Sequence, residues 1–188
     1  MTLFRTLTSP IIPLFRDHLD TDFIAPHNGD RPSQAFARMR IDPGGRLIPE
    51  SLFERPPFSQ AAILLVGREF GFGSRTVEAV DALKRLGLAC VLGLSFSPAF
   101  VERALHEGLV SLIVGEGAAL QLAEEAMSGD AFTIDLAAMA LTTGYGDRHV
   151  LTPPSAVRAA LASAWNERAE PKGRDIEDDG HLIFAVRA

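Results

Sequence analysis

The stretch Gly71-Phe72-Gly73-Ser74-Arg75-Thr76 holds the residue types in this chain best suited to chemistry. It follows an apolar run and precedes a helix-forming run, so it reads as a strand-to-helix turn. In open α/β sheets, ligands bind beyond the carboxyl ends of the strands. Glycine lets the backbone approach a ligand closely. A helix start offers unpaired N–H groups and a partial positive charge, which suits a carboxylate. Arg75 adds a guanidinium that can grip a carboxylate at two points, and Gly73 and Thr76 flank the same spot. A plain turn fits these letters too, with Ser74 as a helix N-cap and Arg75 as a surface charge. A nucleotide-phosphate loop does not fit, because the required lysine is missing.

Other candidates carry less. Asp20 and Asp22 could bind a metal, but two carboxylates alone are a weak site and a loop-stabilising Asx turn explains them better. Glu102 and His106 stand one helical turn apart, a spacing that zinc can use, yet no further ligands accompany them. Tyr145, His149 and the Gly146-Asp147-Arg148 turn belong to a hairpin without an evident mechanism. No metal-ligand set emerges.

The surrounding elements follow from hydrophobic pattern. Residues 10–15 read as a short strand with proline at its start. Residues 16–26 read as a polar loop. Residues 27–57, rich in proline and glycine, read as a long irregular insertion of the kind that usually carries function, with a short helix near 33–39. The apolar run 61–66 predicts a strand buried on both faces. A helix over 75–86 follows, with Val77, Val80 and Leu83 as its apolar stripe beside Ala79, an Asp81–Arg85 pair outside, and Gly87 at its end. A second buried strand spans 89–94, Ser97-Pro98 opens another helix, and a third strand spans 109–114. This alternation predicts an α/β fold, a mostly parallel sheet with flanking helices. A helix over 118–127, a hairpin with arms at 131–135 and 139–143, and a last helix from Thr152 to Asn166 complete a domain over residues 1–169. Residues 170–188 read as a polar C-terminal extension.

Composition narrows the classes. The chain has 188 residues, 47% hydrophobic, enough for one domain with a real core. Its net charge of -6 disfavours a nucleic-acid partner. No apolar run nears the length needed to span a bilayer, and the start lacks a secretory pattern; a cytoplasmic protein without a membrane role is expected. The single cysteine, Cys90, can neither form an internal disulfide nor hold an iron–sulfur cluster alone.

Several short motifs, in order, resemble the small subunit of 3-isopropylmalate dehydratase. The loop after Ala62-Ile63-Leu64-Leu65 reads Phe70-Gly71-Phe72-Gly73-Ser74, where that family has Asn-Phe-Gly-x-Gly-Ser-Ser-Arg-Glu-His. Asp20-Thr21-Asp22 with Ile24 and Pro26 is similar to its Asp-Thr-Asp-x-Ile-x-Pro. Ser95-Phe96 with Phe100, and Gly108-Leu109, match two further motifs. The similarity runs from about residue 10 to 165. Five positions depart from the pattern: Arg75 replaces the second serine, Thr76 the arginine, Val77 the glutamate and Glu78 the histidine. Glu69 stands in place of the asparagine.

The resemblance implies the swivelling β/β/α domain of the aconitase superfamily. It implies a hydro-lyase subunit that interconverts 2- and 3-isopropylmalate in leucine biosynthesis, or acts on another malate-like dicarboxylic hydroxy acid. No cofactor is expected in this chain; a 4Fe–4S cluster would sit on a separate large subunit, where one iron acts as Lewis acid on the departing hydroxyl. By the same resemblance Ser74 is the catalytic base. Arg75, Gly73 and Thr76 are substrate-binding, and His27 and Arg31 join them from the family's substrate-choosing loop. A non-catalytic binding or regulatory domain that kept the fold is the alternative, because the family's arginine, glutamate and histidine are all replaced at their positions after Ser74.

Overall fold

The computed structural model describes residues 3–27 and 33–169. The chain begins with two short strands, β1 (Thr6–Ser9) and β2 (Ile11–Pro13), separated by Pro10 alone. Two one-turn helices follow, α1 (Thr21–Ile24) and α2 (Ala37–Arg40). Then come β3 (Ile63–Leu65), α3 (Thr76–Arg85), β4 (Cys90–Gly93), α4 (Pro98–His106), β5 (Val110–Val114) and α5 (Glu116–Ala126). The chain continues through β6 (Phe132–Asp135), β7 (Ala140–Thr142), β8 (Arg148–Thr152) and α6 (Ser155–Ala169).

Among the described residues eight strands form one sheet in the order β1-β6-β7-β8-β5-β4-β3-β2. Strands β2 to β5 run parallel, each joined to the next by a long crossover. The other pairings, β5–β8, β8–β7, β7–β6 and β6–β1, are antiparallel. The sheet is therefore mixed, not mostly parallel as the strand–helix alternation predicts. The reason lies after α5: only short turns link β6, β7 and β8, and a short turn reverses the chain. The two sheet edges are consecutive in sequence, so the sheet curls almost into a barrel. Ser9, at the end of β1, accepts a hydrogen bond from the Ala62 N–H at 2.7 Å and helps close that seam.

The core lies on both faces of the parallel strands. Ile12, Leu64 and Val91 face α3 and the Phe100 side of α4. Ile11, Ile63, Leu65, Cys90 and Leu92 face α5, α6 and the antiparallel strands. Burial on both faces is what the unbroken apolar run at 61–66 predicts.

Several local expectations are corrected. On α3 the buried residues are Ala79, Val80, Ala82 and Leu83, whereas Val77 is 47% exposed. At about 100° per residue, Val77 falls about 60° outside the arc that those four define. Arg85 does not pair with Asp81; its Nη2 donates to the Ser33 carbonyl at 2.9 Å, and Asp81 lies 3.8 Å from Arg103. The polar stretch 16–26 contains α1, whose N-cap is Asp20: its carboxylate accepts from the Phe23 N–H at 2.6 Å. Strands β1 and β8 have too few apolar residues to stand out in the sequence. The 170–188 extension lies outside the described residues, as does Arg31.

Candidate active site at the carboxyl end of the parallel strands

Strands β2 and β3 are parallel neighbours, so the segments that leave them run side by side. A series of hydrogen bonds joins the two. The Gly67 N–H donates to the Arg16 carbonyl at 2.9 Å, the Arg68 N–H to the Asp17 carboxylate at 2.7 Å, and the His18 N–H to the Arg68 carbonyl at 2.8 Å. Further along, the Gly71 N–H donates to the Leu19 carbonyl and the Thr21 N–H to the Phe72 carbonyl, both at 2.8 Å. The Arg75 N–H donates to Thr21 Oγ1 at 3.2 Å and completes the series. His18 and Glu69, both with left-handed backbone, pair their side chains at 2.9 Å across the same junction.

An aromatic floor lies beneath the glycine loop. Phe70 meets Phe100 edge-on at 5.1 Å, and Phe96 and Phe100 stack at 6.3 Å. Gly71 has φ +80, and a β-carbon there would collide with the Phe100 ring. Ser95 accepts the Glu69 N–H at 2.8 Å. The serine and two phenylalanines that sequence comparison groups as one motif thus support the loop from below.

Above this floor the loop opens to solvent. Phe72, Gly73 and Ser74 are exposed. Ser74 does not cap α3: the N-cap position falls on Arg75, with no side-chain cap bond. Thr76 is half-buried and its hydroxyl donates to the Gly73 carbonyl at 3.4 Å. His27 is exposed, close enough for its charge to act on Glu78.

Arg75 is neither a loose surface charge nor a free carboxylate anchor. Its side chain is 19% exposed. Nη1 donates to the Ala25 carbonyl at 3.0 Å, Nη2 to Ser33 Oγ at 3.2 Å, and Nε to Glu78 at 3.4 Å. Asp22 stands 3.5 Å from Nη1. Glu78 lies in the first turn of α3, where its own backbone N–H above all holds its carboxyl below the usual 4.5; burial opposes this, and Arg75 and then His27 add to the lowering. Two carboxylates, Asp22 and Glu78, therefore stand against the Arg75 guanidinium, a feature the sequence pattern does not bring out.

Among the described residues no group of three or more His, Cys, Asp or Glu side chains could hold a metal ion. Cys90 lies fully buried on β4, and burial pushes its thiol far up, so it suits neither cluster ligation nor nucleophilic work. A cleft of about 200 Å³ lies at the ends of β4 and β5 between Phe96, Val101, Ile113 and Pro154. It is mostly apolar and holds none of the predicted site residues.

The chain is similar to known proteins in sequence and in fold. The 3-isopropylmalate dehydratase small subunit of Paracoccus denitrificans is 30% identical over 155 residues, 78% of this chain and 77% of that one. The corresponding subunit of Cereibacter sphaeroides is 31% identical over 155 residues, with the same coverage. The chain belongs to the 3-isopropylmalate dehydratase small-subunit family. A "small subunit 2" of Salmonella choleraesuis is also 31% identical, over 152 residues, 76% of this chain and 73% of that one. The crystal structure of 3-isopropylmalate dehydratase from Methanocaldococcus jannaschii superposes with a TM-score of 0.57 at 21% identity, over 87% of this chain and 95% of that one, so the α/β fold with its mixed sheet is shared. No protein-family model matches the chain. Among the described residues no helix is long and apolar enough to cross a membrane.

Proposed function

We propose that this chain is the small subunit of a hydro-lyase that interconverts 2- and 3-isopropylmalate in leucine biosynthesis, or serves a close paralogue acting on another malate-like acid. Its domain is of the aconitase swivelling type. It works in the cytoplasm, only together with a large subunit that carries the 4Fe–4S cluster, and this chain's residues take no part in holding that cluster. The observation that carries the reading is the family match over three-quarters of both chains, with Ser74 exposed at the carboxyl end of β3. Ser74 is the base that removes the proton from the substrate carbon. The start of α3 favours its alkoxide. The exposed Gly73 backbone, Thr76, His27 and Arg31 receive the substrate carboxylates. Arg75 contributes through whatever donor capacity its protein contacts leave. Its engagement favours the one competing reading, a non-catalytic domain that kept the fold.

The test is reconstitution with the cognate large subunit, followed by assay of alkene formation from isopropylmalate. Ser74→Ala is expected to lower kcat by about 10²- to 10⁴-fold, the usual range for loss of a general base. A complex that assembles but turns over no malate analogue would move the assignment to the non-catalytic reading.

A further inference from the structure

Ser74 is exposed, so packing of its own side chain does not fix where its hydroxyl points. The backbone on either side must do so, and both sides converge on one residue. Thr21 is fully buried at the first position of α1. Its N–H donates to the Phe72 carbonyl at 2.8 Å, two residues before Ser74. Its Oγ1 accepts from the Arg75 N–H at 3.2 Å, one residue after. Between them, Gly73 has φ +122, and a β-carbon at that position would fall on Thr21 Oγ1. The glycine backbone therefore lies directly against the threonine hydroxyl. One side chain and its own amide touch positions 72, 73 and 75 and leave 74 free.

We propose that Thr21 is the positioning residue for Ser74. The proposal rests on Ser74 being the base, and adds how that hydroxyl is aimed. Threonine suits the task for a physical reason. Its hydroxyl sits directly on Cβ and turns about χ1 alone, so it has fewer directions than a longer polar side chain, a property that serine shares. An amide held by a buried acceptor keeps the start of α3 in one place, so the partial positive charge of that helix end acts on a fixed point. Thr21 itself is held by its place in α1, whose N-cap Asp20 and C-cap Ala25 are both hydrogen-bonded; the Ala25 N–H returns to the Thr21 carbonyl at 2.9 Å.

The discriminating variants are Thr21→Val and Thr21→Ser, each assayed in complex with the large subunit beside Ser74→Ala. Valine keeps the shape but leaves the Arg75 N–H without its acceptor. Thr21→Val is expected to lower kcat by about tenfold with KM little changed, and to move the rising limb of the pH–rate profile up by about one unit, the equivalent displacement of the base. Thr21→Ser keeps the acceptor and is expected to restore both the rate and the pH profile. A merely structural role for Thr21 would reduce the amount of active complex but leave the profile in place. An unshifted profile in Thr21→Val, with Ser74→Ala inactive, overturns the positioning role and leaves the base assignment standing. Full activity in Ser74→Ala removes the base, and the positioning role with it. If Thr21→Val does not fold, Thr21→Ala against Thr21→Ser carries the same comparison.

Discussion

Arg75 Nη1 lies 3.0 Å from the carbonyl oxygen of Ala25 and donates to it. The same guanidinium reaches Ser33 Oγ through Nη2, so it ties both flanks of the 28–32 segment to the start of α3. Arg85, three turns along that helix, adds a bond to the Ser33 carbonyl. In sequence an arginine after Gly-Ser suggests a carboxylate anchor; in the fold its donors point inward, across α1.

Arg75→Ala is therefore expected to cost stability before it costs binding. Charged hydrogen bonds contribute about 1.5–3 kcal/mol when partly buried, and the carbonyl and hydroxyl left behind lose their donor. A loss of about that size should appear as a lower urea midpoint. Arg75→Lys should recover little of it, because a single ammonium cannot reach both acceptors as a planar fork does. A midpoint change worth less than about 0.5 kcal/mol, the usual range for surface positions, would mean the clamp does not form in solution.

Much of this arrangement can be read in the letters. The apolar runs at β3, β4 and β5 are buried on both faces, and such runs announce themselves. The glycine loop is legible because Gly71 and Gly73 both have positive φ, where other residues are strained. The antiparallel half is harder to see. Strand β8 buries only Leu151, and β1 alternates threonine and serine with one leucine, so neither carries a strong period. Least legible is the pairing of the 16–21 and 67–75 segments. It depends on backbone groups, which every residue has, and on β2 lying next to β3, which no local pattern specifies.

Two glycines with similar backbone and different surroundings give a direct check on the aromatic floor. Gly71→Ala must place its β-carbon within about 2.5 Å of Phe100 ring atoms at φ +80. Overpacking and left-handed strain together should cost roughly 2–5 kcal/mol. Gly87, at the end of α3, has φ +96 and nothing within 4 Å of a β-carbon. Gly87→Ala should cost only the backbone strain, about 1–2 kcal/mol. Thermal or chemical unfolding of the two variants measures the difference, and equal losses would mean that Gly71 does not rest on Phe100.

Glu78 gives the last prediction, because its charge acts against binding and for stability at once. It stands in the first turn of α3, where an acid favours the helix, and its own amide, Arg75 and His27 draw its pKa below 4.5. A depressed pKa means a stabilising contribution that is complete above the ordinary carboxylate range and lost as pH falls through the folded value. Glu78→Gln should thus be the less stable protein at neutral pH, and the two should converge in acid. Binding should go the other way. A carboxylate beside the proposed substrate site repels a dicarboxylate, and at this half-exposed position the effect is on the order of 0.5–1 kcal/mol, about a two- to fivefold change in affinity. Titration of isopropylmalate into the complex should therefore show tighter binding for Glu78→Gln at neutral pH. Added salt should narrow the difference, since exposed charges are screened within about 8 Å at physiological ionic strength. Equal affinities at low salt would place the substrate carboxylates away from the first turn of α3 and weaken the case for Thr76 as a contact.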